Sequence, residues 1–151
     1  ETFGGAIKFS KEYNRSLAAL KKFKRVSKNS YSYTTGFASW VGFRTNTTII
    51  VKNGVVIERK YIFDHPRQNK FITWNENKSN LNSHQNSGAA EPITLDTIYK
   101  RCKDDLLVDN EEKIYDFKTD KNGLISICGY TDKRCADDCF RGITINIIKK
   151  Q

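Results

Sequence analysis

The stretch Thr47-Thr48-Ile49-Ile50-Val51-Lys52-Asn53-Gly54-Val55-Val56-Ile57-Glu58-Arg59-Lys60-Tyr61-Ile62-Phe63 decides the architecture. Both arms are rich in β-branched and aromatic residues, which fit a pleated, half-buried surface. Asn53-Gly54 is the preferred pair for a two-residue type I′ turn, where both central residues need positive φ. Residues 47–52 and 55–63 are therefore expected as an antiparallel hairpin. Upstream, Tyr31-Ser32-Tyr33 alternates in the manner of a strand, followed by Phe37, Trp40 and Phe43 among glycines and small residues. Residues 10–28 read as a helix, with Ser10 as cap and an apolar stripe at Tyr13, Leu17, Leu20, Phe23 and Val26.

Downstream, residues 64–92 contain Pro66, Pro92 and an asparagine-rich run from 75 to 87, and are expected as a long polar loop. A second helix is expected from about Thr94 to Val108, carrying Leu95, Ile98, Tyr99, Cys102 and Leu106 along one side. Residues 113–119, 124–130 and 142–149 read as strands, the first two joined by the turn Asp120-Lys121-Asn122-Gly123. Runs of strands with hairpin connections, separated by helices rather than crossed by them, define an α+β protein. The expectation is one domain over residues 1–151: an antiparallel β-sheet with two helices packed on one face, stabilised by disulfides. Phe3 to Phe9 can form an edge strand. Pairing with its own sheet is preferred, whereas pairing with a neighbouring copy would build a fibre by strand addition.

The chain holds 151 residues, enough for one core, and no run approaches the apolar length of a membrane span. It begins Glu1-Thr2-Phe3 and contains no methionine, so an amino terminus processed by signal-peptide removal is expected. Cys102, Cys128, Cys135 and Cys139 form an even set suited to two disulfides, and their spacings do not match the paired ligands of a zinc site. If Ile125 and Ile127 face the core by strict alternation, Cys128 faces the other way. That argument pairs Cys128 with Cys135 and Cys102 with Cys139. Asn14-Arg15-Ser16, Asn46-Thr47-Thr48 and Asn77-Lys78-Ser79 satisfy the rule for N-glycosylation.

The net charge of +9 is uneven: residues 1–72 carry 14 Lys and Arg against four acids, while the remainder is close to neutral. Lys11, Arg15, Lys21, Lys22, Lys24, Arg25 and Lys28 line the first helix with Glu12 as its one acid, a solvated face or a docking surface for an anionic partner. Nucleic acid, anionic polysaccharide and an acidic neighbouring subunit all fit such a charge, and in a secreted protein genomic DNA is the least favoured. No G-x-S-x-G, H-E-x-x-H or phosphate-cradling glycine loop occurs, and the adjacent acids Asp104-Asp105, Glu111-Glu112 and Asp137-Asp138 diverge in any regular element. For calcium, Asp116, Asp120 and Asn122 read more simply as a hairpin turn, leaving Asp132, Asp137 and Asp138 beside the cysteines as the weak candidate metal set. His65 and His84 are the only pair for ribonuclease-like acid–base work, and both fall in the expected loop.

Thr94-Leu95-Asp96-Thr97-Ile98-Tyr99, Gly123-Leu124, Cys128-Gly129-Tyr130 and Cys135-Ala136-Asp137-Asp138-Cys139-Phe140-Arg141-Gly142-Ile143 resemble the signature of an uncharacterised family of secreted domains. Tyr31-Ser32-Tyr33 and Val51-Lys52-Asn53-Gly54-Val55-Val56 resemble its first strand and hairpin. The resemblance spans residues 17 to 148. It implies an extracellular domain and assigns no catalytic residue or cofactor.

The function expected on these grounds is that of an extracellular glycoprotein domain acting by contact rather than chemistry. It would be a self-assembling subunit of a surface layer, matrix or fibre that uses its amino-terminal strand. Its partners would be neighbouring copies, another extracellular protein or a glycan. The alternatives are a binding module for anionic polysaccharide through helix 10–28 and, third, a secreted ribonuclease-like hydrolase.

Overall fold

A computed structural model describes residues 7–136 and 139–151. The described chain is α+β, with antiparallel strand pairings and two disulfides. Its strands divide between two sheets rather than joining the one expected. The chain also falls into two compact units, one drawn from Glu1–Phe23 and Leu95–Thr144, the other from Lys24–Thr94 and Ile145–Gln151.

The second unit is built on the hairpin. Strands β1 (Tyr31–Ala38), β2 (Arg44–Lys52), β3 (Val55–His65), β4 (Lys70–Glu76) and β8 (Ile147–Lys150) lie in the order β4-β3-β2-β1-β8. Asn53 and Gly54 have φ of 51° and 81°, as the type I′ turn requires, and Lys52 pairs with Val55 across it. Tyr31, Tyr33, Ile49, Val51 and Tyr61 are buried, and the registers Tyr31↔Val51, Tyr33↔Ile49 and Thr47↔Tyr61 place them on one face. A bulge between Ile50 and Val51 lets Val56 pair with Val51 while Arg59 pairs with Ile49. β4 lies inside the stretch expected to be loop. Pro66–Gln68 form a 3-10 turn, Asn69 takes a left-handed φ of 52°, and the chain returns as an edge strand. All of β4 is exposed except Trp74 and Glu76, so no alternation of apolar and polar residues marks it in the sequence.

The first unit packs α1 (Ser10–Ser27, whose last turn belongs to the other unit) and α2 (Leu95–Arg101) with strands β5 (Lys113–Thr119), β6 (Ile125–Asp132) and β7 (Phe140–Thr144). Tyr13, Leu20, Leu95, Ile98, Tyr99, Leu107, Leu124 and Ile125 form its buried set. The Tyr13 hydroxyl donates to the Tyr99 carbonyl at 2.7 Å, Ser16 Oγ bonds the Tyr99 hydroxyl at 2.7 Å, and that hydroxyl accepts the Ile125 N–H at 3.0 Å. The stripe of α1 thus runs through Tyr13, Ser16, Leu20 and Ser27, whereas Val26 is 57% exposed. A serine is tolerated inside because a tyrosine hydroxyl satisfies it. α2 is shorter than expected and passes into a π-helical turn, Cys102–Leu106, which closes on a bond from the Leu107 N–H to the Cys102 carbonyl. The expected strand 142–149 is two strands, β7 and β8, in different sheets.

Both expected disulfide pairings are corrected: the bonds are Cys102–Cys128 and Cys135–Cys139. The reason is a bulge in β6. Lys118 pairs with Ile127 but Thr119 pairs with Ile125, leaving Ser126 as the extra residue. One extra residue inverts the side-chain phase, so Ile125 and Cys128 are both fully buried while Ile127 is only half-buried. Cys128 therefore points at Cys102, also fully buried, and their Cα atoms are 6.1 Å apart.

Of the amino-terminal segment, residues 3–6 lie outside the described residues. Ile7 forms an antiparallel bridge with Val108, and the Lys8 N–H donates to the Leu107 carbonyl at 2.8 Å.

Candidate anionic-partner interface

With 100° between successive residues, the buried Leu20 lies directly across α1 from a line passing through Lys11 and close to Arg15, Lys22 and Arg25. These four cations form a row about 21 Å long at 1.5 Å per residue, and each is exposed. Among the described residues none has a carboxylate within ion-pair distance. Lys21 and Lys28 are exposed to one side of the row, Lys28 beyond the helix end with a φ of 55°, and Lys24 is half-buried. The first turns of α1 border a cleft lined by Glu12, Arg15, Ser16, Phe117, Lys118, Thr119 and Gly123, which brings a further cation, Lys118, beside Arg15.

The sequon residues are all exposed: Asn14 on α1, Asn46 near the start of β2, and Asn77 at the start of the turn that follows β4. The Asn77 Oδ1 accepts the Ser79 N–H at 2.9 Å and the Ser79 hydroxyl at 2.6 Å.

Asp132 caps a turn by accepting the Arg134 N–H at 2.9 Å, and that bond with the nearby guanidinium holds its carboxyl below the ordinary range. Its expected companions Asp137 and Asp138 lie outside the described residues. Asp120 Oδ1 accepts the N–H groups of Asn122 and Leu124, the work of a turn residue. Among the described residues no group of three His, Cys, Asp or Glu is placed to hold a metal.

The two histidines do not converge. His65 ends β3, beneath the ring of Phe43 at 6.0 Å, 8% exposed, and its Nδ1 has no partner among the described residues. His84 sits on the Arg59–Glu76 rung, six residues away along β3, or about 20 Å.

That rung is the feature missed from the sequence. Glu76 and Arg59 have side chains 0% and 3% exposed and meet fork to fork, Arg59 Nε to Oε1 at 2.9 Å and Nη2 to Oε2 at 3.0 Å. The same carboxylate accepts the Asn82 N–H at 2.7 Å, the His84 N–H at 2.8 Å and the His84 Nδ1–H at 2.8 Å. Arg59 Nη1 donates to the Ala90 carbonyl at 2.9 Å, and its guanidinium lies 5.0 Å over Trp74. The His84 ring stacks on Trp74 at 4.0 Å. Burial pushes the Glu76 carboxyl up, but the Arg59 guanidinium and the donors of His84 and Asn82 outweigh it and hold the group well below the usual carboxylate range. Every polar atom of this pair works inward, pinning the polar loop to the sheet. The signal was present: the alternation that buries Tyr61 also buries Arg59, and a buried guanidinium requires a carboxylate.

Comparison of the chain with models of known protein families, with curated proteins and with solved structures yields no match.

Proposed function

We propose that the protein is an extracellular interaction domain that binds anionic polysaccharide along the exposed face of α1. The observation that carries this reading is the row Lys11, Arg15, Lys22 and Arg25, opposite the buried stripe and without acidic partners among the described residues. Cations held on a rigid rod and not ion-paired among the described residues attract a polyanion and release its condensed counterions on binding. Placement outside the cell is supported by the disulfides Cys102–Cys128 and Cys135–Cys139, which persist in oxidising compartments, and by the resemblance of the cysteine segments to secreted domains. Among the described residues no helix is long and apolar enough to cross a membrane.

Self-assembly through the amino-terminal strand has less support, because the described end of that segment, Ile7, pairs with Val108 of its own unit. Hydrolysis by His65 and His84 has none in the geometry given above.

The test is retention on immobilised heparin with increasing salt. Replacing Lys11, Arg15, Lys22 and Arg25 together by serine should abolish retention near physiological salt and flatten the salt dependence, since each phosphate-like contact contributes a slope of roughly one. Replacing Lys100, Lys133, Arg134 and Lys149 instead should change little. Equal retention of both variants would overturn the reading.

A further inference from the structure

The β1–β2 loop displays the most exposed large apolar side chain among the described residues. Trp40 is 86% exposed and Val41 44% exposed, and Phe37, near the end of β1, is 49% exposed. Large apolar side chains displayed together on a surface mark an interaction site.

These residues are held out, not left loose. The Ser39 N–H donates to the Phe43 carbonyl at 2.8 Å, the Gly42 N–H to the Ser39 carbonyl at 3.0 Å, and the Val41 N–H to Ser39 Oγ at 3.2 Å. Gly42 supplies the left-handed φ of 109° that closes the turn. Phe43 folds back onto Phe37 at 6.0 Å and Phe63 at 5.4 Å, forming an aromatic base beneath the tip.

The same end of the sheet carries the β3–β4 turn, and the Arg67 side chain comes within 3.5 Å of where a Gly42 Cβ would lie. Lys70 Nζ lies 5.7 Å over the Phe63 ring, and Arg44 begins β2. Against these three cations stands one acid, Asp64, 3.6 Å from Arg44.

We propose that this two-loop tip docks on the surface of an anionic lipid bilayer, with Trp40 and Val41 entering the headgroup boundary while Arg67, Lys70 and Arg44 meet the lipid phosphates. Tryptophan is the side chain best suited to that boundary, having an apolar body and one polar N–H. The nearest of these cations, Arg67, lies against Gly42 next to the apolar point, where the negative surface potential of an anionic bilayer acts on it. Charge argues against a second copy, because two such tips would bring like charges together. The chemistry argues against a sugar platform, because Trp40 is flanked by Ser39 and Val41, and the one side-chain polar atom there, Ser39 Oγ, already accepts the Val41 N–H rather than standing free in the plane of a sugar ring. Two apolar side chains and three cations predict weak, reversible binding.

The test is co-sedimentation of the whole chain with vesicles of phosphatidylcholine carrying about a third phosphatidylserine, a composition chosen to give a strongly negative surface. Binding should fall about tenfold in Trp40→Ser and by roughly thirtyfold in Arg67→Ser with Lys70→Ser, each cation near the surface contributing about fivefold. It should vanish on phosphatidylcholine alone. Brominated acyl chains should quench the wild type but not Trp40→Ser, which keeps Trp74 as an internal control. The four-serine variant of α1 should still show that quenching, which separates this site from the polysaccharide face. Binding unaffected by Trp40→Ser would overturn the proposal. So would concentration-dependent self-association lost in Trp40→Ser, or a Trp40 emission shift with soluble oligosaccharide in the absence of vesicle binding.

Discussion

The two units each close around a buried link, and the links differ in kind. In the five-stranded sheet the link is ionic: Glu76 and Arg59, both removed from solvent, tie the polar loop onto the sheet. In the three-stranded unit it is covalent: Cys102–Cys128 joins the end of α2 to β6, with the Tyr13–Ser16–Tyr99 hydrogen bonds beside it. A loop without an apolar face can be ordered only through its polar groups, and one carboxylate with several donors around it does so. A short helix on a three-stranded sheet has apolar surface to bury but little of it, and a disulfide supplements such a core by restricting the unfolded chain.

Three experiments would break or sharpen that contrast. The largest effect belongs to Glu76→Ala, which strands a buried guanidinium and should cost about 3–5 kcal/mol in denaturant unfolding, with Trp74 fluorescence as the local reporter. The charge also sets an acid limit. Because the folded carboxyl titrates below its unfolded value of about 4.3, its stabilisation is complete above that pH and is lost as pH falls toward the folded value. Glu76→Gln should remove this acid dependence. If Glu76→Ala left Trp74 emission and stability unchanged, the loop would be held by something else.

Next comes Cys102→Ala combined with Cys128→Ala. The closed loop has a sequence separation of 26, for which chain entropy predicts a loss of about 3–4 kcal/mol. Near-ultraviolet dichroism of Tyr13 and Tyr99 should register it, with Trp74 emission little changed. Loss of both signals together would show that the units do not have separate links.

The smallest effect is alkaline. Burial first, then the neighbouring Tyr99 and Asp104, push the Tyr13 hydroxyl up from 10.0 to about 12. A group raised on folding stabilises fully below its unfolded value and loses that contribution as pH rises through the folded one. The Tyr13 contribution should therefore fall by about 2–3 kcal/mol between pH 10 and 12. Tyr13→Phe should lessen the alkaline slope by that amount, burial of Tyr61, Tyr99 and Tyr115 leaving the remainder, while the acid limb set by Glu76 stays unchanged.

Local chemistry made much of the fold legible. Asn53-Gly54 between β-branched arms specifies its own turn and register, because both signals sit within a few residues of one another. Helix α1 is written in its period of buried positions, and the row opposite them is therefore also readable: Lys11, Arg15, Lys22 and Arg25 follow from the sequence once the stripe is known. The α+β class follows from the order of these elements.

What stayed hidden depended on residues far apart in the chain. β4 is an edge strand exposed along most of its length, so it carries no alternation to detect. Ser126 is a bulge only because Lys118 and Thr119 pair across it, and that single residue redirects Cys128 and with it both disulfides. The order β4-β3-β2-β1-β8 pairs strands at opposite ends of the sequence, which no local pattern encodes.

By itself the sequence determined the hairpin, the first helix with its cationic row, and the presence of two disulfides. Only the tertiary structure decided how those cysteines pair, that Arg59 meets Glu76, and that Trp40 stands exposed beside Arg67. Periodicity and turn chemistry are properties of neighbouring residues, whereas a bulge, a buried ion pair or a loop tip exists only once distant segments have been brought together.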